Sequence, residues 1–507
     1  MESQAIPKGT IEEEFASASL GDARLTKRLM TMATELAKQP DASFPQVFDD
    51  TGLAGTYRFM SNPKVTPEAI LEPHKVQTAE RAAEYKEVIV AHDTTEYGFG
   101  TNPREGLGYV GRGKTYGFKS HVSLVVAPGD MRTPLGLIAL QTVNRTKKKR
   151  KRKKRSKKGS AKKRGHKALQ RAKDNEGRRW LQGIEEATRR LDGKTSAIHV
   201  TDREGDSYGL IAELCKGGDR FVIRAAYDRR VHKIRDAEVQ DGDKLRSVLA
   251  RTPALDTREI AVSRRDASPM PSYRKNFPPR EGRSAIVSIK AVCVTIKRPA
   301  SASECEEKEL TLNLVQVIEE NPPEGQPPVE WLLWTTEPIE SAEDVWKIVD
   351  FYRARWLVEE FFKAMKTGCA FEKRQLESAE ALFRAQAVFI PIAWRLLLLR
   401  TLCRYDETTP AEEALEPAQL LSLREALKDT KFQLPDQPTV RDALLGIAKL
   451  GGHLDKNGEP GWLILARGFE RLIFIEQGFL LAMDLAARSP EAAAAGRAGT
   501  WPGDVWN

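Results

Sequence analysis

The sequence predicts an α/β core with helical segments before and after it. Five stretches rich in β-branched residues, EVIVAHDTTEY, KSHVSLVVA, LGLIALQTV, SAIHVTD and RFVIRAA, follow one another from residue 87 onward, and such runs favour strands. Residues 1 to about 70 and 375–507 instead carry apolar residues at helical spacing,. A length of 507 residues suggests about two to four domains, and 40% apolar content is ample for buried cores,.

In the first segment Asp22 is placed to cap a helix whose Leu25, Leu29, Met32 and Leu36 form an apolar stripe, with Pro40 ending it,. Arg24, Lys27 and Arg28 fall off that stripe. They are ordinary surface charge or side chains free to enter a DNA groove.

The first three strands arrive consecutively, a Trp-containing helical stretch at about 173–191 follows, and SAIHVTD and RFVIRAA come after it. Three strands, a helix, a strand and a further α/β unit is the ribonuclease-H-like order, whose acidic site lies at adjoining strand ends. Asp93 ends the first strand and Asp202 the fourth. A third acid is expected on a later helix, yet 157 positions separate Asp202 from Glu359, too many for one connection. REIAVSRR, SAIVSIKAVCVTIK and ELTLNLVQVI read as further strands, so residues about 228–340 are expected to form a β-rich insertion within a core spanning 71–374,.

Glu359 lies in FYRARWLVEEFFKAMKTG, a run with no Pro and no Gly until Gly368. As a helix at about 100° per residue, Arg355, Glu359 and Lys366 fall at roughly −60°, −20° and −40° from Tyr352, with Lys363 at roughly +20° and Glu360 at roughly +80°,. A carboxylate among a phenol, a guanidinium and an ammonium suits a metal-bearing site that grips nucleic acid. The same pattern also describes a solvated face with i,i+4 charge pairs.

Charge and composition exclude several classes. The five cysteines form no C-x-x-C pair and the seven histidines are scattered. That argues against zinc and disulfides and for reduced thiols. No apolar signal core opens the chain, and AVFIPIAWRLLLL is short and holds Pro391 and Arg395, so no membrane partner is expected,. Net charge is +10, but sixteen Lys/Arg and no acid lie between Arg145 and Lys167; without them the balance is 10 − 16 = −6. Such a run cannot bury a core and suits phosphate neutralisation.

The Y-x2-R-x3-E-x6-K spacing resembles the signature of bacterial insertion-sequence transposases of the DDE class, of the cut-and-paste kind carried by transposon five. LGDARLTKRL, TYRFMSNPKVTPEAI, AHDTT, TDREGD, PVEWLLWTTEPIES and AKLGGHLD extend the likeness in order along the chain. The resemblance implies that the N-terminal helical domain reads transposon-end inverted repeats. It implies that Asp93, Asp202 and Glu359 hold two Mg²⁺ ions, with Mn²⁺ able to substitute; Glu204 and Asp206, close in sequence to Asp202, read as supporting groups and not as first-choice ligands. Tyr352, Arg355 and Lys366 would hold the terminal phosphate of the strand that is not transferred, Trp331 would stack on a base displaced from the duplex, and Arg224 and Lys363 would contact DNA. Arg274 and Lys275, in the irregular basic stretch SYRKNFPPREGRS, match a DNA-contacting loop. The implied partners are double-stranded DNA, both transposon end and target, and a second copy of the chain joined through the C-terminal helical domain 375–507. The implied setting is the bacterial cytoplasm, on the nucleoid. The basic run departs from the family, which has a shorter, acidic-leaning segment there. A structure-specific nuclease without strand transfer, and a non-catalytic binder that holds ends, are the rival readings.

The basic run generates a prediction of its own. Deleting residues 147–164 should weaken binding to end and random DNA about equally, because phosphate contacts position without specifying sequence. It should also flatten the plot of log affinity against log salt, by about 0.9 for each phosphate that the run neutralises. Fluorescence anisotropy across a salt series measures both; an unchanged slope would show the run to be idle.

Overall fold

The computed structural model describes residues 10–111, 114–146, 177–262, 264–265, 278–405 and 409–488. The basic run 147–167 and the pair Arg274 and Lys275 lie outside the described residues.

The N-terminal helix forms as its pattern dictates. It spans Ala23–Lys38, and the Asp22 side chain accepts the Arg24 backbone N–H at 2.9 Å. Leu29, Met32 and Leu36 are buried. After the single turn Phe44–Val47, Asp49 caps the helix Asp50–Ser61, and Thr66 caps Pro67–Ala83. This last helix runs through position 70, so the expected boundary there falls inside an element rather than between two. Buried arginines tie the segment to the body: Arg384 donates to the Met60 carbonyl at 3.0 Å, and Arg374 to the carbonyls of Pro40 and Ala42.

The sheet begins with β1 (Glu87–Gly98), the short β2 (Tyr109–Val110), β3 (Thr115–Val126) and β4 (Pro134–Val143). β3 runs antiparallel to both β1 and β4. The helix Arg178–Leu191 then crosses to β5 (Ser196–Thr201), parallel to β1, and the helix Tyr208–Gly217 leads to β6 (Arg220–Arg224), parallel to β5. Parallel neighbours need such crossovers. The order β4-β3-β1-β5-β6 is the ribonuclease-H-like core anticipated from the sequence.

The insertion does not form a separate layer. Its strands, β7 (Lys233–Ile234), β8 (Asp256–Val262), β9 (Arg283–Lys297) and β10 (Glu309–Glu319), join β11 (Glu330–Thr335) to extend the same sheet in the order β6-β11-β10-β9-β7, with β8 on β9. β11 pairs antiparallel with β6, so chain distant in sequence lies directly beside the core.

The helix Ala379–Tyr405 closes one face. It is long and apolar enough to cross a membrane, but 83% of its most apolar stretch is buried inside the protein. Trp394 within it donates Nε1–H to the Pro134 carbonyl at 2.9 Å. It is a core helix. The last described helix, Trp462–Arg488, leaves Phe474, Leu480, Leu481 and Met483 exposed.

Candidate functional site

Register brings the first two acids together. In the parallel β1–β5 pair His92 lies opposite Thr201, so Asp93 and Asp202 are the next residues on neighbouring strands. Asp202 follows the end of β5 and caps a single turn, its carboxylate accepting the Glu204 N–H at 2.8 Å. Asp93 lies within β1 rather than at its end, because pairing with β3 continues to Gly98.

The third acid arrives on a broken helix. Ala342–Ala354 and Trp356–Lys363 are separate segments joined at Arg355, and a π turn, Ala364–Gly368, follows. The uniform stripe expected from Tyr352 to Lys366 is therefore interrupted. Arg355 donates from Nη1 to Asp93 Oδ2 at 2.9 Å and from Nη2 to Glu359 Oε1 at 2.8 Å. One guanidinium thus joins an acid of β1 to an acid of the helix. Lys366 lies further along, its Nζ 5.6 Å from the centroid of the Tyr97 ring. Lys363 does not join Glu359: its ammonium is 2.7 Å from Glu360, which also pairs with Arg400. Glu360 is buried against the helix Ala379–Tyr405, which leaves Glu359 as the acid facing Asp93.

Tyr352 is the centre of a second group. Its buried ring lies 5.6 Å from that of Trp331, and its hydroxyl accepts from Arg224 Nη1 at 3.3 Å. The guanidinium carbons of Arg224 and Arg355 stand 5.9 and 5.8 Å from the ring centroid. Trp334 belongs to the opposite side of the sheet, where it is fully buried. Strand alternation separates the two tryptophans. Burial and the neighbouring Arg224 hold the Arg203 guanidinium below its ordinary range, and Arg246 adds to the effect. Positive charge is thus concentrated beside the acids.

Sequence reasoning missed several participants. Arg203 lay within TDREGD but was given no role there, and Arg246 carried no motif. Trp356, exposed next to Arg355, has the Lys363 ammonium 5.6 Å from its ring. Of the scattered histidines, three gather on the back of the sheet. His92 Nε2 lies 3.0 Å from His199 Nδ1, Ser123 Oγ is 2.9 Å from His92 Nδ1, and His121 Nδ1 is 2.9 Å from Thr94 Oγ1. Burial drives all three well below the usual imidazole range, His121 to about 3 and His199 to about 4. They are neutral polar packing beneath the acids. Arg179 fastens this layer, donating to Thr94 Oγ1 and Glu204 Oε2, each at 2.9 Å. The alternation of His92 and Thr94 about Asp93 was the available signal.

The two supporting acids divide. Glu204 pairs with Arg179, while Asp206 is buried, pairs with Arg229 and accepts the Ala226 N–H at 2.6 Å. Asp206 thereby fixes the loop after Arg224. In the N-terminal segment Arg24 is exposed and forks onto Asp22, and Arg28 lies across Gly55 of the following helix.

Among the described residues no group of three His, Cys, Asp or Glu is closed tightly enough to hold a metal. The donor set nevertheless fits Mg²⁺, which prefers hard oxygens and keeps its own waters. Burial pushes the Asp93 carboxyl up from 3.8 to about 7; Arg355 and the Thr94 N–H oppose the push, while Asp202 and Glu359 add to it. A divalent cation would offset both the burial and the neighbouring negative charge.

Residues 7–65 match the Transposase DNA-binding family, and residues 144–390 match the Transposase DDE domain family. Together these regions cover more than half of the chain. The second holds Asp202, Glu359, Tyr352, Arg355 and Lys366; Asp93 precedes it and enters the site through the β1–β5 register. A helical DNA-binding region followed by a DDE domain defines a DNA-acting enzyme. The protein is a DNA transposase of the DDE class.

Asp93 generates a pH-dependent prediction. Its carboxyl binds a proton more tightly folded, at about 7, than unfolded, at 3.8. The folded state therefore holds the extra proton between those values, and stability falls as pH rises through that window. Asp93→Asn removes this penalty. In metal-free protein it should raise Tm by roughly 2–4 °C more at pH 8 than at pH 5, measured by differential scanning calorimetry. An equal gain at both pH values would contradict the assignment.

Proposed function

We propose that the protein carries out cut-and-paste transposition. In this reading a homodimer holds paired terminal inverted repeats in a synaptic complex, cleaves the DNA through a hairpin intermediate, and joins the freed 3′-hydroxyl ends to target DNA. The observation that carries it is the convergence of Asp93, Asp202 and Glu359, from two adjoining strands and one later helix, next to a cluster of guanidinium groups.

Asp93, Asp202 and Glu359 would hold the catalytic cations. Bound Mg²⁺, or Mn²⁺ in its place, supplies charge relief at phosphorus and activates water for in-line attack. Arg224, Tyr352, Arg355 and Lys366 would position the terminal phosphate of the non-transferred strand, Arg as a planar fork and Lys as a compact charge. Trp331, partly exposed beside Tyr352, would receive the displaced base, which needs an aromatic platform once it leaves the stack. The apolar residues left exposed on the last helix support a subunit contact. Strand-transfer products separate this reading from a nuclease that only cuts.

Asp93→Asn, Asp202→Asn and Glu359→Gln preserve shape and remove ligand charge. Each should abolish metal-dependent cleavage of an end duplex while leaving gel-shift affinity for that duplex near wild type. Substantial cutting by Glu359→Gln would transfer the role to another carboxylate.

Trp331→Ala should nick the first strand at a near-normal rate and then stall. Loss of a base–aromatic stack costs about 1–3 kcal/mol, roughly tenfold or more at the hairpin step. Denaturing gels of a labelled end should show accumulated nicked strand. Unchanged hairpin yield would make Trp331 a packing residue only.

A further inference from the structure

Arg355 is committed twice. Its two terminal nitrogens are spent on Asp93 and Glu359, at 2.9 and 2.8 Å, and its side chain is only 9% exposed. In the proposed function it also holds a DNA phosphate. A cation wedged between two carboxylates and a divalent metal bound by the same carboxylates exclude one another, since like charges in a poorly solvated site repel strongly.

We propose that Arg355 is a latch that couples metal loading to DNA binding. Without DNA it acts as the internal counter-cation of Asp93 and Glu359 and keeps divalent metal out. A DNA phosphate draws the guanidinium away and releases both carboxylates to the metal. The proposal rests on the reading of Asp93, Asp202 and Glu359 as the metal ligands.

Three features support it. First, the latched guanidinium is incompletely satisfied: its Nε is buried with no hydrogen-bond partner, and so is Nε of Arg224 on the same tyrosine ring. A phosphate oxygen offers these donors what the carboxylates do not. Phosphate also accepts a bidentate Arg fork, so it supplies the differential affinity that any such shift requires. Second, Arg355 stands at the break between the helices Ala342–Ala354 and Trp356–Lys363, where bonds of the tighter i to i+3 kind join Arg355 N to Tyr352 O at 3.2 Å and Val358 N to Arg355 O at 3.0 Å. Tight turns within helices commonly mark hinges. Third, Asp202 lies outside the latched pair: its carboxylate accepts the Glu204 N–H. The latch therefore withholds two ligands and leaves one in place. A transposase so built carries no loaded cutting centre until an end is seated.

The test is Mn²⁺ binding to the full-length protein without DNA, read by electron paramagnetic resonance. Wild type should bind weakly. Arg355→Ala should bind at least about tenfold more tightly, since two charge-assisted bonds no longer compete. Arg355→Lys, which keeps the charge but cannot bridge two carboxylates, should fall between them. Circular dichroism checks that Arg355→Ala folds; if it does not, Arg355→Lys alone decides, and affinity equal to wild type overturns the latch. Equal affinity in wild type and a folded Arg355→Ala also overturns it. Two controls separate this failure from failure of the ligand assignment. If the variants gain nothing, yet wild type with an end duplex binds Mn²⁺ in a manner lost in Asp93→Asn, the ligands stand and the latch falls. If Mn²⁺ gained by Arg355→Ala survives the added Asp93→Asn and Glu359→Gln changes, the metal is elsewhere and both ideas fall.

Discussion

Three carboxylates cannot be gathered at one place in a sheet without compensation, and in this protein the compensation is Arg355. Its guanidinium spans Asp93 on β1 and Glu359 on a helix reached only after the insertion. Even so, burial, with Asp202 and Glu359 adding to it, holds the Asp93 carboxyl up to about 7. The surroundings are arranged around that buried acid. Beneath the acids the histidines His92, His121 and His199 are neutral, which supplies hydrogen bonds without adding charge to a buried layer. Beside the acids, positive charge accumulates on Arg203, Arg224 and Arg246.

The extension of the core by the insertion decides how acidic and basic groups meet. Because β11 pairs with β6, Trp331 and Arg224 come to lie on the same side of the sheet as Tyr352. The pair of helical segments that carries Tyr352, Arg355 and Glu359 follows β11 after only a short connection. A detached insertion would leave the aromatic platform and the acids free to move separately. A continuous sheet fixes them as one body, as the proposed displacement of a base beside the cleaved phosphate would require.

The supporting residues divide between holding and shaping. Asp206 fixes the loop after Arg224 by taking backbone N–H groups and an arginine, and Arg179 ties the strands of Asp93 and Asp202 together from behind. Neither belongs to the three-acid set itself. Both set the geometry of groups around it.

Local patterns fixed much in advance. Alternation and β-branching marked the strands, capping by Asp22 marked the first helix, and the order of elements marked the ribonuclease-H-like core, because each depends on neighbours a few residues away. Asp93, Asp202 and Glu359 could be named as candidates, but Asp93 was expected to end its strand and instead lies within it; the helical angle set Glu359 apart from Glu360. Tertiary structure alone decided the rest. The uniform 100° rotation broke at Arg355 and again in the π turn, so Lys366 and Lys363 left the stripe. Lys363 chose Glu360 because that carboxylate is already buried against Arg400. Trp331 and Trp334, three residues apart in one strand, differ because the sheet has two faces and only one carries the site. The histidine layer and the guanidinium cluster draw on residues more than a hundred positions apart, and no local periodicity records a contact made only when strands pair.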